Sequence, residues 1–305
     1  MRRIIDMHTH FSIETGSISE DADKIGFVVE NRSLDDHLKA MDHLGITHAV
    51  LSCPTLKHLE DPAACAAYCR QVNIAGASIA RSHPDRFGFA AILPLPDVAA
   101  AVREAEYALS ELGACAVGMC SNYGGLYLGD ARLAPLFDLL DTFGCAVLLH
   151  PAAPPVWPAG PVTGKILPMF EFITDTTRTV LDLIDSGMLR DHPHVRIVVP
   201  HTGSCLPVAL DRYYGIIAAQ GRTQRAPLEQ IFYDLACDAY PHAVPILLTM
   251  TDPSHIVYGT DFPAIPLPVL ERHMQNTLSH PAFADRLDDV LWNNARGLLI
   301  NEPFD

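Results

Sequence analysis

The chain has 305 residues, ordinary for one barrel of alternating strands and helices with insertions, and its 49% hydrophobic against 19% charged content supplies a large core and argues against disorder. Lys and Arg number 21 against 36 Asp and Glu. The resulting net charge of −15 disfavours binding nucleic acid through its phosphates, and no run approaches the roughly 18–20 apolar residues of a membrane helix.

The first residues, MRRIIDMHTH, hold two arginines but no apolar run before Asp6, so they do not read as a signal peptide. Short β-rich runs follow at 3–10, 47–53, 87–93, 114–121, 145–150, 195–201, 231–236 and 256–261. Helical patterns lie between them near 33–45, 61–82, 97–112, 131–143, 174–188, 204–219, 240–251 and 266–279, with a last one near 284–299. Ser33 and Asp97 stand where N-caps belong, and Gly45, Gly113, Gly144 and Gly187 where helices should stop. Eight strand–helix units in strict alternation predict a single-domain α/β protein, a (β/α)8 TIM barrel spanning 1–305. Two long connections, 11–32 after the first strand and 151–173 after the fifth, start at the C-terminal ends of strands, the catalytic face of such a barrel. The second is rich in proline and apolar groups, including Trp157 and Phe172. It reads either as a stiff wall over a pocket or as a packing surface for a second subunit.

Fifteen histidines against four lysines is an unusual balance, and position explains part of it. The first strand ends in His8 and His10, the fifth in His150, the sixth in His201 and the eighth in Asp261. Strand alternation puts Asp6, His8 and His10 on one face, toward the barrel interior. Apolar strands such as VLLH and RIVVPH have no solvation reason to finish in histidine. A lone His-x-His means little, but five such groups on four strand ends at one rim predict a metal site. Imidazole and carboxylate ligands suit zinc, and also iron or manganese. Cys120 and Cys205 lie near strand ends without a base beside them. The eight cysteines include no Cys-x-x-Cys pair and read as reduced thiols of a cytoplasmic protein.

Asp6 to His10 (DMHTH), with His150, the His201-Thr202-Gly203 step and the segment GTDFP at 259–263, resembles the metal-dependent amidohydrolase superfamily over essentially the whole chain. The stretches SNYGGLYLGD at 121–130 and FEFITDTTR at 170–178 are similar to segments of its aminocarboxymuconate-semialdehyde decarboxylase-like branch, and there to the 6-methylsalicylate decarboxylase group. The resemblance implies that His8, His10, His150 and Asp261 hold the metal and that His201 stands beside it as an acid/base group. Either Asp261 or His201 would supply the catalytic proton. Binuclear members carry a bridging carboxylated lysine at the end of the fourth strand; here that strand ends Met119, Cys120, Ser121, and the lysines are Lys24, Lys39, Lys57 and Lys165. One divalent ion is therefore expected, zinc first, with manganese or iron as alternatives. Asp6 would either orient a ligand imidazole or hold the barrel floor.

The reaction so implied is non-oxidative loss of CO2 from a small ortho-hydroxylated aromatic acid, on a homodimer whose contact includes the 151–173 loop or the 204–219 helix. Trp157, Phe172 and Tyr123 would line the ring pocket. Arg178 would meet a substrate anion or anchor the wall, or else pair with Asp175 or Asp182 on its own helix. The competing reading is a mononuclear hydrolase, lactonase or hydratase, in which the same metal activates water. Substrates of that kind carry several carboxylates, and few cations stand near these strand ends.

Overall fold

The computed structural model describes residues 2–13, 32–53, 61–223, 225–237, 239–301 and 303–304. Most of the connection expected at 11–32 lies outside the described residues, as do Lys24 and Lys57. Eight parallel strands stand side by side in chain order: β1 (Ile5–His10), β2 (His48–Ser52), β3 (Phe87–Ile92), β4 (Ala116–Cys120), β5 (Ala146–His150), β6 (Arg196–Val199), β7 (Ile231–Asp234) and β8 (Ile256–Val257). The ring closes through backbone bonds from Met7 N to Tyr258 O (2.9 Å), Asp261 N to His8 O (2.7 Å) and His10 N to Phe262 O (2.8 Å). Helices α1 (Leu34–Leu44), α2 (Pro62–Ser82), α3 (Val98–Tyr107), α4 (Ala134–Phe143), α5 (Glu171–Ser186), α6 (Leu206–Ala219), α7 (Ala243–Leu247), α8 (Leu267–Ser279) and α9 (Asn294–Leu298) accompany the strands, so the chain is an α/β TIM barrel. Among the described residues no helix is long and apolar enough to cross a membrane.

The two faces of each strand explain the layers. Val50, Ala90, Ala116, Ala146, Leu148, Val198 and Val257 form the inner cluster, which Trp292, Leu298 and Phe304 join. Alternate residues such as Leu51, Phe89, Val117, Val147, Ile197 and Tyr258 face the helices in a second, larger cluster. The caps stand where the sequence places them. Ser33 accepts from Asp36 N in a capping box, and Asp97 accepts from Ala100 N at 3.0 Å. Gly45, Gly113, Gly144 and Gly187 end their helical segments at φ values of 73°, 77°, 61° and 81°, where a side chain would be strained.

Four elements depart from expectation. β1 is not a plain alternating strand. Its pairing with β2 runs Ile5 to His48 and Asp6 to Ala49, then resumes at Thr9 to Leu51, so Met7 and His8 together stand opposite Val50. This bulge turns both Met7 and His8 inward and leaves Asp6 on the other face. The expectation that Asp6 shares a face with His8 and His10 is thereby corrected. β6 ends at Val199, because Pro200 has no N–H for the ladder and His201 and Thr202 turn left-handed at φ 56° and 57°. The helix expected at 240–251 is the short α7, and the one expected at 284–299 is a π turn (Asp289–Asn293) leading into α9.

Candidate metal centre

At the C-terminal rim, ligand atoms of His8, His10, His150 and Asp261 all lie within 4.8 Å of one another. The imidazoles stand edge to face, with ring centroids 4.9 Å apart for His8 and His10 and 5.0 Å for His10 and His150. Gly259 permits this crowding, since a Cβ there would stand 2.9 Å from His8 Cβ.

Each imidazole has one nitrogen committed elsewhere. His8 Nδ1 donates to Asp234 Oδ2 at 2.7 Å, His10 Nδ1 to Ser52 Oγ at 2.9 Å, and His150 Nδ1 to Pro151 O at 2.9 Å. With a proton on every Nδ1, the three Nε2 atoms offer lone pairs. His8 Nε2 is buried with no hydrogen-bond partner, while Asp261 Oδ1 stands 3.0 Å from His10 Nε2 and 3.6 Å from His8 Nε2. Lone pairs and a carboxylate oxygen crowded together in a buried place need a cation between them. Three imidazoles and one carboxylate in this arrangement fit a single divalent ion.

The electrostatics agree. Burial opposes a charged His8, but Asp234 and Asp261 outweigh it and raise its pKa to about 9, so without a metal the site draws in a proton. Burial, with the neighbouring imidazoles, holds His150 well below the usual histidine range, in the neutral form a ligand needs. Burial opposes ionisation of Asp261, yet His10, His201 and His8 keep its carboxyl well below the usual carboxylate range.

Over residues 5–299 the chain matches the family model described as amidohydrolase. The chain belongs to the amidohydrolase family. Within that family it falls in the decarboxylase branch. It is 30% identical over 288 residues to the 6-methylsalicylic acid decarboxylase of Aspergillus aculeatus, covering 88% of this chain and 86% of the relative. A solved amidohydrolase II structure superposes with a TM-score of 0.87 at 25% identity, covering 97% of this chain and 99% of the other. The dihydroxybenzoic acid decarboxylase of Polaromonas sp. JS666, solved with bound manganese and the inhibitor 2-nitroresorcinol, superposes with a TM-score of 0.82 at 22% identity, covering 98% of this chain and 97% of that one.

The amidohydrolase rim also shows which predicted residues meet. A cavity opens beside the cluster, lined by His8, His10, His150 and Asp234 and by apolar groups including Met7, Ile92, Met119, Leu148 and Val198. Tyr123 and Cys120 line it too, with Cys120 N donating to Tyr123 Oη at 2.9 Å. His201 stands next to the cluster, its Nε2 3.6 Å from Asp261 Oδ2, and neither ring nitrogen has a hydrogen-bond partner. Trp157, Phe172 and Arg178 are not among the lining residues. Trp157 Nε1 donates to Gly164 O at 2.9 Å, which folds the 151–173 loop on itself. Arg178 Nη1 donates to Asp175 Oδ1 at 2.5 Å, while its side chain stays half exposed. Asp175 is fully buried and also accepts from Ser121 Oγ, Asn122 Nδ2 and Tyr127 Oη at 2.6–2.8 Å. Ser121 and Asn122 in turn hold Ala152 N and Ala153 O, so Asp175 ties the end of β4 to the chain just after His150.

The β4 position of the binuclear bridging lysine is occupied by Gly118, Met119 and Cys120, and Lys39 and Lys165 are exposed elsewhere. Among the described residues no imidazole hydrogen-bonds to Asp6. It accepts from Thr260 Oγ1 (2.6 Å), Thr260 N (3.0 Å) and His8 N (3.1 Å), and burial pushes its pKa up to about 7. Of the two roles expected for Asp6, the hydrogen bonds carry the structural one. The imidazole of His8 is oriented instead by Asp234, a residue that sequence reasoning passed over. The signal was there: the run IFYDLA ends β7 on an acid in an otherwise apolar strand. Asp234→Asn preserves shape and removes the charge behind His8. Metal affinity should fall by about 10–100-fold, measured by competition with a chelator. An unchanged affinity would mean that His8 is held without this carboxylate.

Proposed function

We propose that this protein, a carboxy-lyase by its branch of the family, removes CO2 without oxidation from an ortho-hydroxylated benzoic acid of the 6-methylsalicylate kind. The carrying observation is the cage of His8, His10, His150 and Asp261, whose three imidazoles line an apolar cavity, with His201 beside it. The cage would hold one divalent ion. Imidazole and carboxylate ligands accept zinc and manganese alike. When bound, that ion supplies positive charge for the substrate carboxylate and the neighbouring ring oxygen.

The protein's own residues then have three tasks. Met7, Ile92, Leu148 and Tyr123 give the ring an apolar lining. Trp157 and Phe172 are assigned to the wall above the mouth, with Arg178 bracing that wall through Asp175. His201 and Asp261 handle the proton. A proton must reach the ring carbon that bears the carboxylate; the bond to that group then breaks, its electron pair restores the aromatic ring, and CO2 leaves. Asp261 is held ionised by its neighbours, which leaves His201 to deliver the proton. The proposal includes a homodimer, whose contact uses apolar side chains exposed on the monomer: Met169 (51%) and Phe170 (48%) in the loop and Val208 (68%) on α6.

Turnover in heavy water should place deuterium at the ring carbon that lost CO2, read by proton NMR of the product. A chain that hydrolyses lactones or esters while leaving salicylates untouched would favour the hydrolytic reading and sink this one.

A further inference from the structure

Asp261 has two oxygens, and only Oδ1 faces the histidine cage. Oδ2 faces a second group: Cys237 Sγ donates to it at 3.2 Å, and His201 Nε2 stands 3.6 Å from it. Ligand atoms of His201, Cys237 and Asp261 all lie within 4.8 Å of one another. Zinc bonds of about 2.3 Å to sulfur and about 2.0–2.2 Å to nitrogen or oxygen set neighbouring ligand atoms of a tetrahedral ion roughly 3.3–3.6 Å apart. The two measured distances are already close to that spacing. Both ring nitrogens of His201 are buried without a hydrogen-bond partner. The backbone aims the three side chains together at some cost: His201, Cys237 and Asp261 have φ values of 56°, 67° and 63°, each in the left-handed region that non-glycine residues avoid. They come from the ends of three successive strands, β6, β7 and β8.

We propose that His201, Cys237 and Asp261 form a second metal site, selective for soft divalent ions such as zinc or cadmium, in which Asp261 bridges to the first ion and occupancy inhibits the enzyme. The inference rests on the reading of His8, His10, His150 and Asp261 as the first site. Binding releases the thiol proton of Cys237 to solvent and leaves a thiolate ligand. Thiolate selects zinc and cadmium over manganese, so manganese fills only the cage while excess zinc also fills the triad. An ion there occupies the nitrogen of His201 that would otherwise carry the catalytic proton. Inhibition follows without any loss of the first ion.

Protein carrying one equivalent of manganese or zinc is titrated with cadmium or cobalt(II), following thiolate-to-metal charge-transfer absorption and, by native mass spectrometry, the number of ions bound. The wild type should take a second ion and gain the absorption band with it. Cys237→Ser should keep the first ion, lose the band, and bind a second at least the roughly 10–100-fold more weakly that loss of even an outer partner costs. His201→Ala, which leaves the thiol in place, should also lose the second ion and keep the first. Zinc inhibition, measured against each protein's own rate, should vanish with Cys237→Ser. One ion bound without a band leaves the first site standing and overturns the second, as does a band that survives Cys237→Ser. A wild type that cannot be loaded with the first equivalent overturns both.

Discussion

His201→Ala should lower kcat by about 10²–10⁴-fold, the usual scale for losing a positioned proton donor, while the bound metal stays. The separation of the two effects follows from the geometry. His201 is outside the four-ligand group: its Nε2 stands 3.6 Å from Asp261 Oδ2, and its ring centroid lies 5.4 Å from that of His8. Its side chain is therefore not one of the groups that would face an ion at Asp261 Oδ1. Its backbone N–H donates to Asp234 Oδ1 at 2.9 Å, a bond that alanine keeps, so Asp234 remains in place behind His8. The checks are steady-state kinetics on a salicylate and elemental analysis of the same preparation. Loss of metal together with activity would place His201 among the ligands. Unchanged kcat would move the proton delivery to another group.

Removal of a ligand gives the second large effect. His10→Ala should lose metal and activity together, whereas the wild type, purified without added metal, should hold close to one equivalent of a divalent ion. His10 Nε2 is 3.0 Å from Asp261 Oδ1, and Ser52 fixes its ring from behind. Alanine leaves a buried carboxylate facing two imidazoles and an empty corner. Metal affinity should fall by at least the roughly 10–100-fold that loss of an outer partner costs, and activity should return in part with excess metal. The same ion should stabilise the fold. A ligand present at about 1,000 times its Kd contributes about 4 kcal/mol, so a chelator should lower the melting temperature of the wild type and leave that of His10→Ala nearly unmoved. Equal melting behaviour in both would argue that the cage holds no ion.

Much of this architecture is local in origin, and so it was legible in the sequence. Each strand is a short apolar run bounded by turn or cap residues, and Ser33, Asp97 and the four terminating glycines set helix boundaries through their nearest neighbours. The polar ends of the strands could be read because histidine has no local reason to finish VLLH. Closing the barrel then brings all such ends to one rim. The absence of lysine at the end of β4 is likewise a plain fact of sequence.

What only the tertiary structure decided depends on long-range partners or on backbone geometry that strand periodicity does not encode. The carboxylate that orients His8 comes from Asp234, 226 residues away in the chain. Arg178 could have turned toward a substrate, but Asp175, one helical turn back and fully buried, holds its guanidinium. The extra residue in β1 breaks the alternation and swings His8 inward past Asp6, which no pattern of period two can express. The left-handed turns at His201, Cys237 and Asp261 are of the same kind. Strand periodicity carries a side chain to the rim, but a single positive φ beyond the last paired residue decides which neighbour it meets there.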